Sequence, residues 1–535
     1  MKNSFSALLS KLQSVLYVFD EESTYSKKSI LRELSKTSID LKHAMAYQES
    51  LLFIVTHPNN EDIYQFAIKE IKHLANTIKN ITAANIGELQ DTGLPHTSMI
   101  TRFSHDLLSW LINRKDCSLE LDSFEEEGTA LKDILRITLP PLEHEETTAE
   151  LSNIEMLDAL KIKKANRLDF LLNEFSTLNE TATIKDFLWD SLKAFIQIKP
   201  YSVRYSRLYN RISFAPIVYQ EKLLKKFDHV QLLNQAIPDP LDLSETLLNE
   251  VESVIKLSLV LTMRETDPST YMDKSSLKYF VLERGISIAI YGMAASRQMP
   301  LQSYIGYTLF KNGYPISYGG SWVFGYMAMF GLNILEAFRG GESGYIMCQL
   351  LRVYKQVFKL QCVEVEPYQY GLDNPDGIRT GAFWFYYKYG FRPLDPQLRK
   401  LAESEHQKIS TKNKYRSNEK ILLRFTENNI ALKFSTSTPR SHHFFTAKVS
   451  KMIQDKFAGN RVKAVEACYA ALMQKLIMKK ALQAEQVKVC KDFALIVSSL
   501  DIKEAKKLDL IQQMIITKPT DPYRYNLLWQ EFLTS

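Results

Sequence analysis

The nine residues FRGGESGYI, from Phe338 to Ile346, combine a cation, three glycines and a hydroxyl group ahead of a segment with helical periodicity. The first backbone N–H groups of a helix have no partner within the helix and can bind an anion such as phosphate. Glycines let a phosphate approach that backbone closely, and they also serve a sharp turn with no ligand. Both readings of the turn stay open. Its candidate cofactor-binding residues are Phe338, Arg339, Gly340, Gly341, Ser343 and Gly344.

Glu342 stands inside this turn and bears on both readings. A carboxylate at a helix start stabilises the helix by about 0.3–1 kcal/mol, but its charge opposes a phosphate on the same N–H groups. The side chain either points sideways and spares the ligand, or fills the site as an internal anion. The turn lacks the Gly-Lys-Ser/Thr end of a P-loop and the final glycine of a hydrolase nucleophile elbow.

Two further side chains are candidates for moving protons. Tyr386 lies in the aromatic segment GAFWFYYKYG, where its phenol could protonate a leaving group or simply pack in a core. Glu336 is a carboxylate in an apolar strand just before the turn, and burial there would raise its pKa towards that of a general base. Glu364 and Glu366, on one face of the predicted strand CVEVEPY, compete for the same role.

The elements around the turn predict a mixed β-sheet. Asn312-Gly313 joins two strand-like runs, and both residues accept the positive φ of a type I′ hairpin turn. Apolar residues at helical spacing from Ile346 to Phe358 predict an amphipathic helix whose opposite, polar face includes Arg352. The order strand, turn, helix, strand predicts a parallel crossover, which places the N–H groups of the turn at the carboxyl edge of the sheet.

Changes in sequence pattern divide the chain into three regions. Residues 1–273 show a helical pattern, with a proline-bearing, acidic, linker-like stretch and a possible subdivision at 138–150. Residues 274–395 show the α/β (α+β) pattern, and residues 396–535 return to a basic helical pattern. The predicted fold is therefore a mixed-sheet module between an N-terminal all-α region and a C-terminal all-α region.

The central module resembles the GNAT superfamily of acyl-CoA-dependent N-acyltransferases over about residues 285–393. Its glycine turn is similar to the family's Arg/Gln-x-x-Gly-x-Gly/Ala turn at Arg339 and Gly344, with Glu342 where the family has glycine. Its aromatic segment resembles the family's A-x-x-x-Y-x-x-x-G-F motif at Ala382, Tyr386, Gly390 and Phe391.

This resemblance implies acyl transfer from acetyl-CoA or a longer acyl-CoA to a small-molecule or peptide amine. It implies that backbone amides of the turn bind the CoA pyrophosphate and that Tyr386 protonates the departing thiolate. Glu336 is our candidate base, and the long loop 367–381 could line the acceptor pocket. Two alternatives stay open: a non-catalytic binding or scaffold protein of the same fold, and a transferase that takes its acyl group from aminoacyl-tRNA.

Composition bears on partners and compartment. The net charge is +6, but residues 396–535 carry 25 Lys+Arg against 13 Asp+Glu, an excess that fits tRNA or, more commonly, a solvated helical face. Five cysteines without a CxxC pair predict neither a disulfide framework nor a metal site. The apolar stretch 319–338 is better explained by buried strands than by a membrane span. We therefore expect a reduced, cytoplasmic protein that does not enter a membrane.

Overall fold

The N-terminal helices cover the central sheet rather than forming a separate unit. The computed structural model describes residues 4–82, 86–148, 150–436, 439–477 and 480–535. Asn60 caps one of these helices by accepting a hydrogen bond from the N–H of Ile63, which satisfies a donor that the helix cannot. The four helices share one apolar core with the sheet. They are α1 (Phe5–Val15), α2 (Glu21–Leu34), α3 (Ala44–Thr56) and α4 (Glu61–Lys79).

A small α/β unit follows, so the prediction that residues 1–273 are all helical is wrong. Its elements are β1 (Met99–Thr101), α5 (His105–Ile112), β2 (Cys117–Phe124), α6 (Leu131–Thr138), α7 (Asn153–Ala159), α8 (Arg167–Thr177), α9 (Ala182–Leu192) and β3 (Ala194–Pro200). The strands form an antiparallel sheet in the order β1-β3-β2 and have their own core. Apolar residues that alternate with polar ones in AFIQIKP are the sequence signal for this sheet.

The segment predicted as a linker at 138–150 is folded over its described residues, which exclude residue 149. Pro141–Thr148 is a 3₁₀ helix, and Thr147 is buried. Arg136 donates hydrogen bonds to the hydroxyl oxygen of Thr147 at 3.0 Å and to its carbonyl oxygen at 3.1 Å. Residues on both sides of the segment share one core, so no subdivision of the chain falls there.

The central sheet and its helices occupy the middle of the chain. Their elements are α10 (His229–Asn234), α11 (Glu245–Val260), α12 (Asp267–Thr270), β4 (Lys278–Val281), β5 (Ile286–Tyr291), β6 (Ser303–Lys311), β7 (Tyr314–Phe324), β8 (Met327–Phe330), β9 (Asn333–Ile334), α13 (Ser343–Val357), β10 (Cys362–Val365), α14 (Pro375–Thr380), α15 (Ala382–Lys388), β11 (Arg392–Pro393), α16 (Pro396–Thr411), α17 (Glu419–Phe425) and β12 (Ile430–Lys433). The strand order is β11-β12-β10-β8-β7-β6-β5-β4, and β9 pairs with β7 outside this path.

The hairpin and the parallel crossover both follow the sequence pattern. Asn312 and Gly313 have φ of 48° and 80°, and they join β6 to β7 in antiparallel register. β8 and β10 pair in parallel, with α13 as the crossover between them. The apolar stretch 319–338 forms β7, β8, β9 and a short 3₁₀ helix. Within the described ranges, no helix is long and apolar enough to cross a bilayer.

The predicted boundary at residue 396 cuts through the sheet. β12 pairs with both β10 and β11, so residues 396–535 are not all helical. The strand is only four residues long, and its pairing with β10 is a contact distant in sequence. The helices that follow β12 form a bundle with its own core. Its helices are α18 (His443–Phe457), α19 (Arg461–Lys475), α20 (Ala484–Leu500), α21 (Ala505–Thr517) and α22 (Pro522–Thr534).

The polar face of α13 is covered by protein. Arg352 is only 2% exposed and donates hydrogen bonds to the carboxylate of Glu283 and to the carbonyl oxygens of Gln235 and Ala236. The covering segment is α10 and the residues that follow it. A polar stripe on this helix therefore marks a packed, hydrogen-bonded contact and not a solvated surface.

Candidate anion-binding cleft

The N-terminus of α13 lacks a side-chain cap. Glu342 is the N-cap residue, and its carbonyl oxygen accepts the first helical hydrogen bond from the N–H of Ile346 at 2.9 Å. Its side chain makes no capping hydrogen bond. Among the described residues no side chain caps these N–H groups, so they remain available to donate hydrogen bonds to an anion.

The carboxylate of Glu342 is turned into the protein interior, away from those donors. The residue is 1% exposed. One carboxylate oxygen accepts hydrogen bonds from the N–H of Leu224 at 2.7 Å and from Arg284 at 2.8 Å. The other accepts from Lys311 at 2.8 Å and lies 3.5 Å from Nε2 of the buried His57. The sequence left two placements open for this side chain. The structure has the one in which the carboxylate points away from the turn and leaves it open.

The charges behind the turn now favour an anion. Glu342 contributes one negative charge, while Arg284 and Lys311 contribute two positive charges within hydrogen-bond distance of it. Burial acts to raise the pKa of Glu342, but neighbouring His57 and Lys311 outweigh it and hold that pKa well below its usual range. Burial lowers the pKa of Lys311 to about 8, so its ammonium group is mostly charged at neutral pH. Burial and the charge of Lys311 lower the pKa of His57 to about 4, which leaves it neutral.

Two glycines of the turn have reasons within the protein itself. Gly340 has a φ of 79° and open space around the position of a Cβ atom, so its backbone conformation accounts for it. A Cβ atom on Gly344 would lie 1.7 Å from the hydroxyl oxygen of Tyr389, so this glycine makes room for a phenol. A bound phosphate is therefore not needed to explain why residue 344 is a glycine.

A cleft of about 780 Å³ opens from the turn. It lies where β8 ends at Phe330 and the following β9 pairs with β7 instead of β10. Gln369 enters the gap and accepts a hydrogen bond from the N–H of Leu332 at 3.2 Å. Residues 367–381, which include α14, form one wall of the cleft. Other lining residues include Lys225, Arg264, Tyr318, Arg339, Gly340, Gly341, Glu342, Ser343, Gly344, Arg379, Ala382, Phe385, Tyr386, Lys388 and Tyr389.

Tyr386 reaches the same cleft as the glycine turn. The residue is 3% exposed and packs edge-on against Phe385 and Phe391. None of the described residues hydrogen-bonds its hydroxyl group, and burial raises its pKa above the usual value of 10.0. The phenol is therefore protonated at neutral pH and able to donate a hydrogen bond into the cleft.

Glu336 is not the buried strand residue that the sequence predicts. It begins a 3₁₀ helix, its side chain is 43% exposed, and it does not line the cleft. Its carboxylate pairs with Arg264 at 2.6 Å and Arg339 at 3.3 Å. Burial acts to raise its pKa, but the hydrogen bond and charge of Arg264 and the charge of Arg339 outweigh it and lower that pKa. The reason for choosing Glu336 as a base is therefore wrong, and the residue instead holds two arginines at the cleft.

The remaining candidates are distributed differently. Phe338 is 2% exposed and packs in the main core, so it contributes no surface to the cleft. Glu364 lies on β10 and accepts a hydrogen bond from Asn429, in a different groove. Glu366 lies just beyond the strand, at the start of a 3₁₀ helix. The residues that hold the Glu342 carboxylate in place carried no local sequence signal, except that Lys311 interrupts an apolar strand next to the hairpin turn.

Comparison with known proteins returned no match for this chain among protein-family models, curated proteins or solved structures. The chemistry of the cleft must therefore be inferred from its own residues. Among the described residues, no group of three or more His, Cys, Asp or Glu side chains could hold a metal ion. The cleft instead offers main-chain donors, cationic side chains and the phenols of Tyr318, Tyr368, Tyr386 and Tyr389.

Proposed function

We propose that the central module is a GNAT-like N-acyltransferase that moves an acyl group from an acyl-CoA to an amine. The observation that carries this proposal is the meeting of an uncapped helix N-terminus and the Tyr386 phenol in one cleft. Support also comes from the order of elements: a hairpin, a strand, the glycine turn with α13, a parallel strand and an aromatic helix. The inward turn of Glu342 removes the main objection to a phosphate at this position.

In this proposal, each part of the cleft acts on a different part of acyl-CoA. The N–H groups at the start of α13 bind the pyrophosphate, and Lys225 and Arg339 add positive charge beside it. Acetyl-CoA or a longer acyl-CoA meets this requirement equally, since both carry the same phosphates. Glu336 is a positioning residue that orients Arg264 and Arg339.

The chemical step is direct attack of a neutral amine on the thioester carbonyl carbon. The new C–N bond forms as the C–S bond breaks, and the departing thiolate takes the proton of the Tyr386 hydroxyl group. The amine nitrogen releases its extra proton to solvent, and the phenolate is then reprotonated from solvent. The acceptor is a small-molecule or peptide amine, and the loop 367–381 is placed to contact it.

One observation favours the alternative of a non-catalytic binding protein with the same fold. The hydroxyl group of Tyr389 fills the position that a Cβ atom of Gly344 would take, next to the helix N-terminus at which the pyrophosphate would bind. In contrast, nothing in the cleft favours an aminoacyl-tRNA donor. The cationic residues that line it, Lys225, Arg264, Arg339, Arg379 and Lys388, all precede the basic C-terminal region.

A reducing, cytoplasmic location is part of the proposal. All five cysteines are free thiols and all are buried. Burial raises the pKa of Cys348 to about 12, so this thiol on α13 is inert at neutral pH. Acyl-CoA is also an intracellular metabolite, which agrees with such a compartment.

Titration calorimetry with acetyl-CoA tests the proposal, using Ser343→Asp as the informative variant. Ser343 is the first residue of α13 and is partly exposed. An aspartate there suits the helix dipole but repels a phosphate on the same N–H groups. We expect affinity for acetyl-CoA to fall at least about tenfold while thermal stability is retained. Ser343→Asn, which is isosteric and neutral, is the matched control and should bind like the native protein.

Two results would decide against the proposal. Absence of heat from the native protein at about millimolar acetyl-CoA would favour the non-catalytic alternative. Equal binding by the native protein and Ser343→Asp would place any CoA away from the helix N-terminus. Gly344 is a poor choice for this test, because a larger residue there would displace Tyr389 whether or not CoA binds.

A further inference from the structure

A second concave site lies on the opposite face of the sheet from α13. Along β7, β8 and β10, successive side chains alternate between the two faces. Ala328 and Phe330 join the core beneath α13, whereas Met327 and Met329 point the other way. There they line a groove of about 190 Å³ between the sheet and the start of the C-terminal bundle. The groove shares no lining residue with the candidate anion-binding cleft.

The floor of this groove carries a carboxylate without a cationic partner. Glu364 is partly exposed, and one of its oxygens accepts a hydrogen bond from Nδ2 of Asn429 at 3.1 Å. In the part of the chain that the structure describes, no Lys, Arg or His side chain forms an ion pair with it. A neutral amide orients this carboxylate and leaves its charge uncompensated, unlike the buried carboxylate of Glu342 in the cleft.

Aromatic and thioether groups surround that carboxylate. Trp322 is partly exposed at the groove and stacks on Tyr304 with ring centroids 4.9 Å apart, which fixes the orientation of the indole. Asn429 also approaches the sulfur of Met329 at 3.9 Å. Burial, with a smaller contribution from His443, lowers the pKa of His442, so its imidazole adds no positive charge at neutral pH.

We propose that this groove binds a small organic ammonium ion with an aromatic or apolar substituent. The ammonium group would pair with Glu364, and its substituent would lie among Trp322, Met327 and Met329. A cation beside a carboxylate and an aromatic face is attracted by both groups. This attraction becomes stronger as the cation is desolvated. The volume of about 190 Å³ restricts the ligand to a small molecule. This site does not depend on acyl transfer, because it lies on the other face of the sheet.

The test uses 2-phenylethylammonium as the probe and 2-phenylethanol as its neutral counterpart. We expect calorimetry on the full chain to show binding of the ammonium compound at millimolar concentration or below, with the alcohol at least about tenfold weaker. Glu364→Gln keeps the size of the side chain and its acceptor for Asn429, and should weaken ammonium binding at least about tenfold. Glu427→Gln alters an exposed carboxylate paired with Arg424 and should bind like the native protein.

Three outcomes would overturn the proposal. They are no binding of the ammonium compound up to about 10 mM, equal binding of the alcohol, or unchanged affinity in Glu364→Gln. The comparison of the two probes uses the native protein, so it decides the question even if Glu364→Gln does not fold. Quenching of tryptophan fluorescence that is lost in Trp322→Phe would place the probe at this groove.

Discussion

Lys311 donates a 2.8 Å hydrogen bond to the carboxylate of Glu342, and neither side chain is exposed to solvent. The pair joins the end of β6 to the start of α13. Removal of one partner from a buried ion pair costs about 3–5 kcal/mol when it leaves a buried charge uncompensated. Arg284 still pairs with Glu342 at 2.8 Å after the loss of Lys311, so this range is an upper bound. We expect Lys311→Met to lower the free energy of unfolding by up to this amount, as measured by urea denaturation followed by circular dichroism.

Two variants control this prediction. Lys311→Met combined with Glu342→Gln removes both partners of the contact, so its loss of stability should be smaller than the sum of the losses in the two single variants. Lys503→Met breaks an exposed ion pair with Asp501 and should change stability by no more than about 1 kcal/mol. Equal losses for Lys311→Met and Lys503→Met would show that the buried pair does not hold the turn.

His57 gives the protein a defined sensitivity to mild acid. Its folded-state pKa is about 4, against 6.5 in an unfolded chain. Between these values the unfolded chain binds more protons than the folded one, so stability falls as pH falls. His57→Gln should reduce this slope by up to about 1.4 kcal/mol per pH unit. Urea denaturation between about pH 5 and 6.5 measures it, above the pH range in which Glu342 protonates.

The control for His57 is the exposed His443. His443→Gln should change the slope of stability against pH much less than His57→Gln does, because its side chain is exposed and contributes only a smaller charge effect on the neighbouring His442. If the slope of stability against pH were the same in His57→Gln and in the native protein, the His57 imidazole would have a pKa in the folded state close to its usual value. The charge count behind the turn would then rise by one.

Tyr386→Phe should separate catalysis from folding. The hydroxyl group has no hydrogen-bond partner among the described residues, so its removal should cost little stability. If the phenol protonates the departing thiolate, turnover should fall about 100-fold or more while the affinity for acetyl-CoA remains. Steady-state kinetics and calorimetry on the same variant make this comparison.

Tyr370→Phe is the control for the loss of a buried phenol. The Tyr370 hydroxyl donates to the carbonyl oxygen of Asn428 at 2.5 Å and lies outside the cleft lining. Its removal should cost about 1 kcal/mol of stability and leave turnover unchanged. Unchanged turnover in Tyr386→Phe would remove Tyr386 from the acid role and leave it as a packed aromatic residue.

The features predicted well from sequence are those with local causes. Asn312-Gly313 dictates its own turn through backbone conformation, and the apolar spacing from Ile346 to Phe358 dictates a helix through the period of that structure. The parallel pairing of β8 with β10 follows from the order of elements. In each case the information lies within the segment or between neighbouring segments.

The placement of Glu342 could not be predicted in this way. Its hydrogen-bond partners Lys311, Arg284 and Leu224 lie 31, 58 and 118 residues away in the chain. A local rule treats a carboxylate at a helix start as a ligand of its own N–H groups. The placement of Glu342 depends on these tertiary contacts. For the same reason, the sequence did not show that Glu336 pairs with Arg264, which lies 72 residues away.

Glu336→Gln distinguishes a positioning residue from a general base. The carboxylate pairs with Arg264 and Arg339, and these exposed or half-buried pairs are worth up to about 1 kcal/mol. The variant should therefore raise KM for acetyl-CoA by at most about fivefold, with kcat and its pH profile unchanged. A large fall in kcat with loss of the acidic limb of the pH profile would restore Glu336 as the base.

The fragment 274–395, which matches the predicted module, should not fold by itself. It lacks β12, which pairs with β10 and β11, and it lacks helices α1–α4, which complete the core beneath the sheet. It also lacks α22, from which Tyr523 donates a hydrogen bond to the carbonyl oxygen of Ser276 at 2.8 Å. The exposed apolar face and the unpaired edge of β10 should give poorly dispersed amide proton resonances and aggregation. The full chain is the control, and a well-dispersed spectrum from the fragment would show that the sheet needs none of these contacts.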